Sequence, residues 1–314
     1  MRWGVLGAGW LVTQATAAAI HHATGARLAA VGARDPHRAQ SLGAERVYDS
    51  YAAVVEDPSI DAIYICLHND VHLHWIEASI AHGKHVLCEK PLVLTQSQAA
   101  TAFASARSAG VVLAEATWTR WHPRMRRIVE LVTSGAVGEI SAFLGTFTFE
   151  GVPEGNYRLQ ARHGGGALYD VGIYPLHALV ACLPQVDAMM VDAVSHVMGG
   201  SDVDLTTRAT LTWGGAATAR IAASFALPAS QRLSITGTEG RIRITDDDAW
   251  TSWRTPSHLQ INDHIEDFPA VDAYQLMFEQ VSAVIRGEPG WVLPARDSLR
   301  VAGVVDELLP RRGH

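Results

Sequence analysis

Lysine is nearly missing from this chain. Of its 25 basic residues only Lys84 and Lys90 are lysines, so wherever a positive charge merely has to be solvated the sequence uses arginine. Arginine does not lose its proton in a protein, whereas a lysine ammonium titrates and moves as a compact donor. Either lysine is therefore a candidate for chemistry, against the plain alternative of compositional drift. Cysteine is scarce as well. Cys66, Cys88 and Cys182 are odd in number and lack the paired spacing of a zinc site, which argues against a disulfide framework and a structural metal and fits a reducing compartment. No run of about 18 apolar residues occurs, and Met1 leads within a few residues into an alternating apolar segment. Neither a membrane span nor a signal peptide is expected, and the chain reads as cytoplasmic. Basic blocks are absent too, the longest being Arg126-Arg127 and Arg311-Arg312, and the net charge is -7. A surface that tracks nucleic-acid phosphates is not expected, and small molecules are the better partners.

What is present is a chain of 314 residues, 48% of them hydrophobic, enough at roughly 100 to 200 residues per domain for two cores. Residues 1–120 alternate short apolar runs with helical patterns. Trp3–Leu6, Leu28–Gly32, Ile60–Cys66, His85–Cys88 and Val111–Glu115 read as strands, separated by helices over Thr13–His22, Pro36–Leu42, His72–His82 and Thr95–Ala109. This alternation predicts βαβ units and a parallel sheet, the architecture of an α/β Rossmann domain. From Pro123 the pattern changes to a helix Arg124–Thr133, a strand Ile140–Phe149, a loop Gly151–Gly165 and a helix Tyr174–Cys182. Strands then follow one another over Val186–Val197, Thr206–Trp213, Thr218–Ala223, Leu233–Thr236 and Arg241–Ile244, before helices Ala273–Arg286 and Arg296–Leu309. Consecutive strands predict a second, α+β domain over 121–314 with a large, mostly antiparallel open sheet.

Gly7-Ala8-Gly9 follows the first strand and opens the first helix. There the first glycine permits a tight turn, and the second lets backbone N–H groups approach a pyrophosphate at the helix N-terminus. The third glycine of the usual spacing is Val12, and Trp10 and Leu11 complete the turn. The alternative is an ordinary βα turn. At the end of the second strand an NAD site places a carboxylate for the ribose hydroxyl, while an NADP site removes it and supplies arginine. Here Ala33 takes the strand-end position, with Arg34 and Arg38 able to grip a 2'-phosphate, so NADP is expected over NAD. The competing reading makes both arginines solvated and Asp35 a helix cap.

The run Tyr64–His72 is followed by Gly83–Pro91, in which Glu89-Lys90-Pro91 stands after a strand, and further on Gly164-Gly165-Gly166 precedes Asp170 and Tyr174. In these motifs, and in their order along the whole chain, the sequence resembles the glucose-fructose oxidoreductase / inositol dehydrogenase (Gfo/Idh/MocA) family. Leu67-His68-Asn69 replaces the family's Thr-Pro-Asn, and Tyr174 stands where inositol dehydrogenases carry His. With Ala33-Arg34-Asp35 and the run Glu115–Arg120, the nearest look is the NADP-linked dihydrodiol dehydrogenase and D-xylose dehydrogenase branch.

The resemblance implies reversible hydride transfer between NADP and a carbinol or carbonyl carbon of a sugar, polyol or cyclic diol. It also implies a homodimer or tetramer formed on the uncovered sheet face, and a last helix that returns toward the Rossmann domain. Leu67, His68, Asn69, His72, Glu89 and Lys90 join Gly7, Gly9, Trp10, Leu11, Arg34 and Arg38 as expected cofactor contacts. Tyr174 is the acid/base candidate, with Lys90 as the ammonium that favours its phenolate. Asp170, four residues earlier, orients the substrate or Lys90, or else caps the helix. Trp118, Arg120 and His177 are expected at the substrate, and Trp121 and His122 are candidates with Trp118 to line a sugar pocket; the rival readings are domain-junction packing for Trp118, Trp121 and His122, and packing for His177. His68, His72 and His74 lack a metal-binding spacing, so no metal is expected. Lys84 reads as a surface or cap residue. Two rival functions remain: a redox-neutral relative that never releases its cofactor, and a non-enzymatic NADP-binding regulator.

Overall fold

The computed structural model describes residues 1–183, 189–200, 202–245 and 247–309. The chain is compact in two units, Met1–Trp118 with Asp272–Ser298, and Thr119–Val271 with the residues from Leu299 onward.

The first unit is built on six parallel strands in the order β3-β2-β1-β4-β5-β6: β1 (Arg2–Leu6), β2 (Arg27–Gly32), β3 (Arg46–Tyr48), β4 (Ala62–Ile65), β5 (His85–Glu89) and β6 (Leu113–Ala116). The helices between them are α1 (Ala17–His22), α2 (His37–Gln40), α3 (Tyr51–Glu56), α4 (His72–Ala81) and α5 (Gln96–Ala109). Strands buried on both faces need unbroken apolar runs, which β1 and β4 supply: Trp3, Val5, Leu6, Ile63, Tyr64 and Ile65 have no exposed surface. The strand order reverses beside β1, between β2 and β4, and in such sheets the crevice beyond the carboxyl ends of the flanking strands is where ligands bind. Gly7 and the Cys66–Asn69 segment stand at those ends.

α8 (Ala273–Ile285) also belongs to this unit. Trp3 Nε1 donates to Ser282 Oγ at 3.0 Å, and Phe278 meets the rings of Trp3 and Tyr64 edge-on at 5.1 and 5.2 Å. Lys84 is a cap rather than a surface residue. It is buried, and its Nζ donates to the carbonyls of Asp57 and Ile60 at 2.8 Å each, closing the C-terminal end of α3.

The second unit contains α6 (Pro123–Thr133), α7 (Ile173–Cys182) and eight strands: β7 (Ile140–Glu150), β8 (Met190–Met198), β9 (Asp204–Trp213), β10 (Ala217–Ser224), β11 (Ala226–Gly237), β12 (Arg241–Ile244), β13 (Ser257–Ile261) and β14 (His264–Phe268). Their order is β14-β13-β12-β11-β7-β10-β9-β8, antiparallel except for the β7–β10 pair. Of the expected strand over Val186–Val197, residues 186–188 lie outside those described. α9 (Ala295–Leu308) ends the described chain.

The two faces of this sheet differ. Phe143, Ile221, Leu233 and Ile235 are buried on one, where α7 packs with Pro175 over Gly145. Directly paired residues share a face, so the register traces one row across all eight strands on the other: Ile265, Gln260, Arg243, Ser234, Leu144, Arg220, Thr210 and Ala193. In that row Leu144 is 38% and Ile265 58% exposed.

Candidate active site

In the first unit the Gly-rich turn is tight for a steric reason. Gly7 adopts φ +106°, and a Cβ there would collide with the Cys66 carbonyl of the neighbouring strand end. Its own N–H donates to Gly32 O at 2.9 Å. A Cβ built on Gly9 meets nothing within 4 Å, so the turn is open on that side. Val12 is fully buried at the start of a π-helical turn, Val12–Thr16, which leads into α1. A packed side chain thus takes the place of the third glycine. Trp10 is 69% exposed and Leu11 half-buried.

Beyond β2, Ala33 is buried and donates to Tyr48 O at 3.0 Å. Arg34 and Arg38 are both exposed, and neither is ion-paired among the described residues. Asp35 is occupied locally, since its Oδ1 accepts from His37 N at 3.1 Å. Leu67 lies against Gly7, His68 is half-exposed, and Asn69 is buried at the start of a 3-10 turn, Asn69–Val71.

Backbone and buried side chains hold the Lys90 loop. The Lys90–Pro91 peptide is cis. His72 is fully buried, with Nδ1 2.9 Å from Pro91 O and Nε2 3.2 Å from Leu67 O. Burial holds its imidazole below the ordinary value against the pull of those carbonyls. A neutral imidazole carries one N–H, so His72 donates to one of these two carbonyls and sits between the Leu67 segment and the Lys90 loop. Leu92 N donates to Glu115 Oε1 at 3.0 Å.

Glu89 is buried as well. It accepts from Tyr64 Oη at 2.7 Å and from Lys90 N at 3.3 Å. Burial pushes its carboxyl up to about 7, with the Lys90 ammonium working against that rise and the Glu115 charge adding to it. Its carboxyl is turned toward Tyr64, a residue to which no role attaches from sequence alone. Lys90 itself is half-buried.

Trp118 is buried in a 3-10 turn, Trp118–Arg120, its ring tilted 6.2 Å from that of Tyr274. Arg120, Trp121, His122 and His177 are buried too.

In the second unit Asp170 and Tyr174 lie on one continuous helical run, because a π-helical turn, Leu168–Gly172, passes directly into α7. Asp170 is therefore inside the run and is not the cap of a helix beginning at Tyr174. Its Oδ2 accepts from Arg158 Nε at 2.7 Å. Tyr174 is buried, its ring 5.7 Å from Phe147 and 6.4 Å from Trp250. His177 follows three residues later in α7 with no exposed surface.

The glycine run fastens the Arg158 loop. Gly166 N donates to Arg158 O at 2.9 Å and Gly165 N to Gln160 O at 3.1 Å. Gly166 adopts φ +122°, where a Cβ would strike the Asp204 carboxylate that accepts from Leu168 N.

The chain matches two family models. Residues 1–117 match the oxidoreductase family with NAD-binding Rossmann fold, and residues 125–243 the GFO/IDH/MocA C-terminal domain. The chain belongs to the Gfo/Idh/MocA family. Among relatives of this family, it is 34% identical over 275 residues to the dTDP-3,4-didehydro-2,6-dideoxy-alpha-D-glucose 3-reductase of Actinomadura kijaniata, covering 85% of this chain and 81% of that one. It is likewise 34% identical over 248 residues to D-xylose 1-dehydrogenase (NADP(+)) 2 of Haloferax volcanii, covering 77% and 75%. A crystal structure of a 3-ketoreductase from Actinomadura kijaniata in complex with NADP and TDP-benzene superposes with TM-score 0.87 at 29% identity, covering 98% of this chain and 96% of that one.

Proposed function

We propose that the protein is an NADP-dependent dehydrogenase or reductase acting on a carbinol or carbonyl carbon of a sugar, polyol or cyclic diol. The observation that carries this reading is the division of labour between its two lysines. Lys84 is consumed as a buried helix cap, whereas Lys90 is half-buried on a loop fixed from below by His72, Glu89 and Glu115.

The residues present fit a dinucleotide. Gly7 and Gly9 form an open turn at the start of a helical run, where unpaired N–H groups favour phosphate. Ala33 offers no carboxylate to a ribose hydroxyl, and Arg34 and Arg38 are available to a 2'-phosphate. When bound, the nicotinamide supplies or receives the hydride.

The chain's own task is the proton. A free alkoxide is too unstable at neutral pH, so a residue must exchange the hydroxyl proton as the carbon changes oxidation state. Tyr174 is assigned that exchange. In the first unit the Lys90 ammonium is assigned as a donor to substrate, and in the second Asp170, one helical turn before Tyr174, orients the groups around the phenol.

The uncovered sheet face, with Leu144 and Ile265 exposed, supports a homodimer formed there, which light scattering of the purified protein tests. Free Cys66, Cys88 and Cys182 support a cytoplasmic location. The enzyme reading is tested by screening aldoses, inositols, cyclic diols and a dTDP-linked keto sugar with NADP and NAD at the reduced-nicotinamide absorbance. Turnover with NADP supports it. A purified protein that already carries that absorbance and exchanges no added cofactor points to the redox-neutral alternative.

A further inference from the structure

Arg158 was not among the residues that sequence motifs single out, yet it makes a short side-chain contact to the Asp170–Tyr174 turn from a separate loop of the second unit. Its loop is fastened at both levels. Asn156 Oδ1 accepts from Arg158 N at 3.0 Å, and Gly166 N donates to Arg158 O at 2.9 Å. The backbone of Arg158 is thus tied to the glycine run that leads into the π-helical turn, while its side chain returns to that turn at Asp170, 2.7 Å away. The Asp170 side chain is 11% exposed, so its charge is poorly screened by water. Burial is the largest single influence and works against the charged guanidinium, but the charge and hydrogen bond of Asp170 together with the Tyr157 and Tyr174 phenols outweigh it, and Arg158 is held above its ordinary range.

We propose that Arg158 is the positioning residue of this turn: its guanidinium holds the Asp170 carboxylate one helical turn before Tyr174 and offsets the charge that the carboxylate places beside the phenol. The inference rests on the reading of Tyr174 as the proton-exchanging group. Other charged or titratable groups near this turn include Tyr157 beside the guanidinium at 4.9 Å, buried Asp204 under the glycine run, and His177 in α7. None of them is altered in the test.

A carboxylate beside a phenol disfavours the phenolate, and a guanidinium favours it. Removing either member of the pair must therefore move Tyr174 in opposite directions. The experiment is a spectrophotometric titration of the tyrosinate absorbance in full-length protein, each variant read as a difference from its own Tyr174→Phe counterpart. Arg158→Gln should raise the Tyr174 midpoint by about one pH unit or more, and Asp170→Asn should lower it. Arg158→Lys, which keeps the charge, should stay near the parent. If Arg158→Gln does not fold, the downward movement in Asp170→Asn and the parent-like value in Arg158→Lys carry the test.

A midpoint that stays in place in Asp170→Asn, or moves the same way in both single variants, overturns the proposal, because a merely structural role predicts no opposed pair. This readout needs no substrate. Opposed movements in a protein without turnover would uphold the role of Arg158 and refute the enzyme reading.

Discussion

The surroundings of Lys90 and Asp170 are fastened by different means. The backbone around Lys90 is tied by His72 to Pro91 O, Leu92 N to Glu115 and Lys90 N to Glu89, and its ammonium acts on the buried Glu89 carboxyl. Asp170 is held through its side chain, by an ion pair with a residue twelve positions earlier. Breaking a partly buried pair leaves an uncompensated charge, so functional and structural effects should mix most at Asp170.

The largest expected effect follows at Lys90. Lys90→Ala should cut turnover by roughly 10²- to 10⁴-fold, the range for losing assistance to proton transfer, with a much smaller loss of NADP affinity. Steady-state kinetics beside calorimetric titration with NADP checks both halves. Tyr174→Phe should lower turnover by a similar factor and flatten the alkaline limb of the pH–rate profile. A full alkaline limb in that variant would move the proton exchange to another residue.

Smaller, and confined to binding, is the effect of Arg34→Ala. It removes one or two charge-assisted bonds of about 1.5 to 3 kcal/mol each, so NADP affinity should fall by about tenfold or more with NAD affinity little changed. An equal loss for both cofactors would remove the 2'-phosphate assignment.

The smallest effect concerns the floor of the Lys90 loop. The Glu89 carboxyl is raised from 4.5 to about 7 in the folded chain, so its contribution to stability is fully present below about 4.5 and is lost as pH rises through 7. Glu89→Gln should flatten the dependence of melting temperature on pH across that interval. An unchanged slope would mean that the carboxyl titrates at its ordinary value.

The parts of the fold that were legible in the sequence are those where local pattern and tertiary role coincide. β1, β2, β4, β5 and β6 are apolar runs bounded by turns, and Gly7 and Glu89-Lys90-Pro91 sit at their ends. β3 escaped notice because Arg46–Tyr48 is three half-buried residues with no alternation to detect. β13 and β14 escaped because Leu259, Ile261, Ile265 and Phe268 are thinly spread among charged and polar residues, although Asn262 at φ 52° in the two-residue loop between them is the signal that marks such a hairpin. Lys84 looked like a surface or cap residue, and what decides its burial is the distant pair of carbonyls at Asp57 and Ile60. Arg158 was invisible for the same reason: its role depends on a glycine run that brings its loop back to Asp170, a contact that no spacing rule encodes.

The most direct measurement is the rate of absorbance change at the reduced-nicotinamide band when wild-type protein meets the panel of sugars, polyols, cyclic diols and a dTDP-linked keto sugar, with NADP and NAD in parallel. Turnover of at least one panel member, faster with NADP than with NAD and reduced by roughly 10²-fold or more in Lys90→Ala, is the predicted result. Tight NADP binding with no turnover of any member would contradict it and leave a dinucleotide-binding protein without this chemistry.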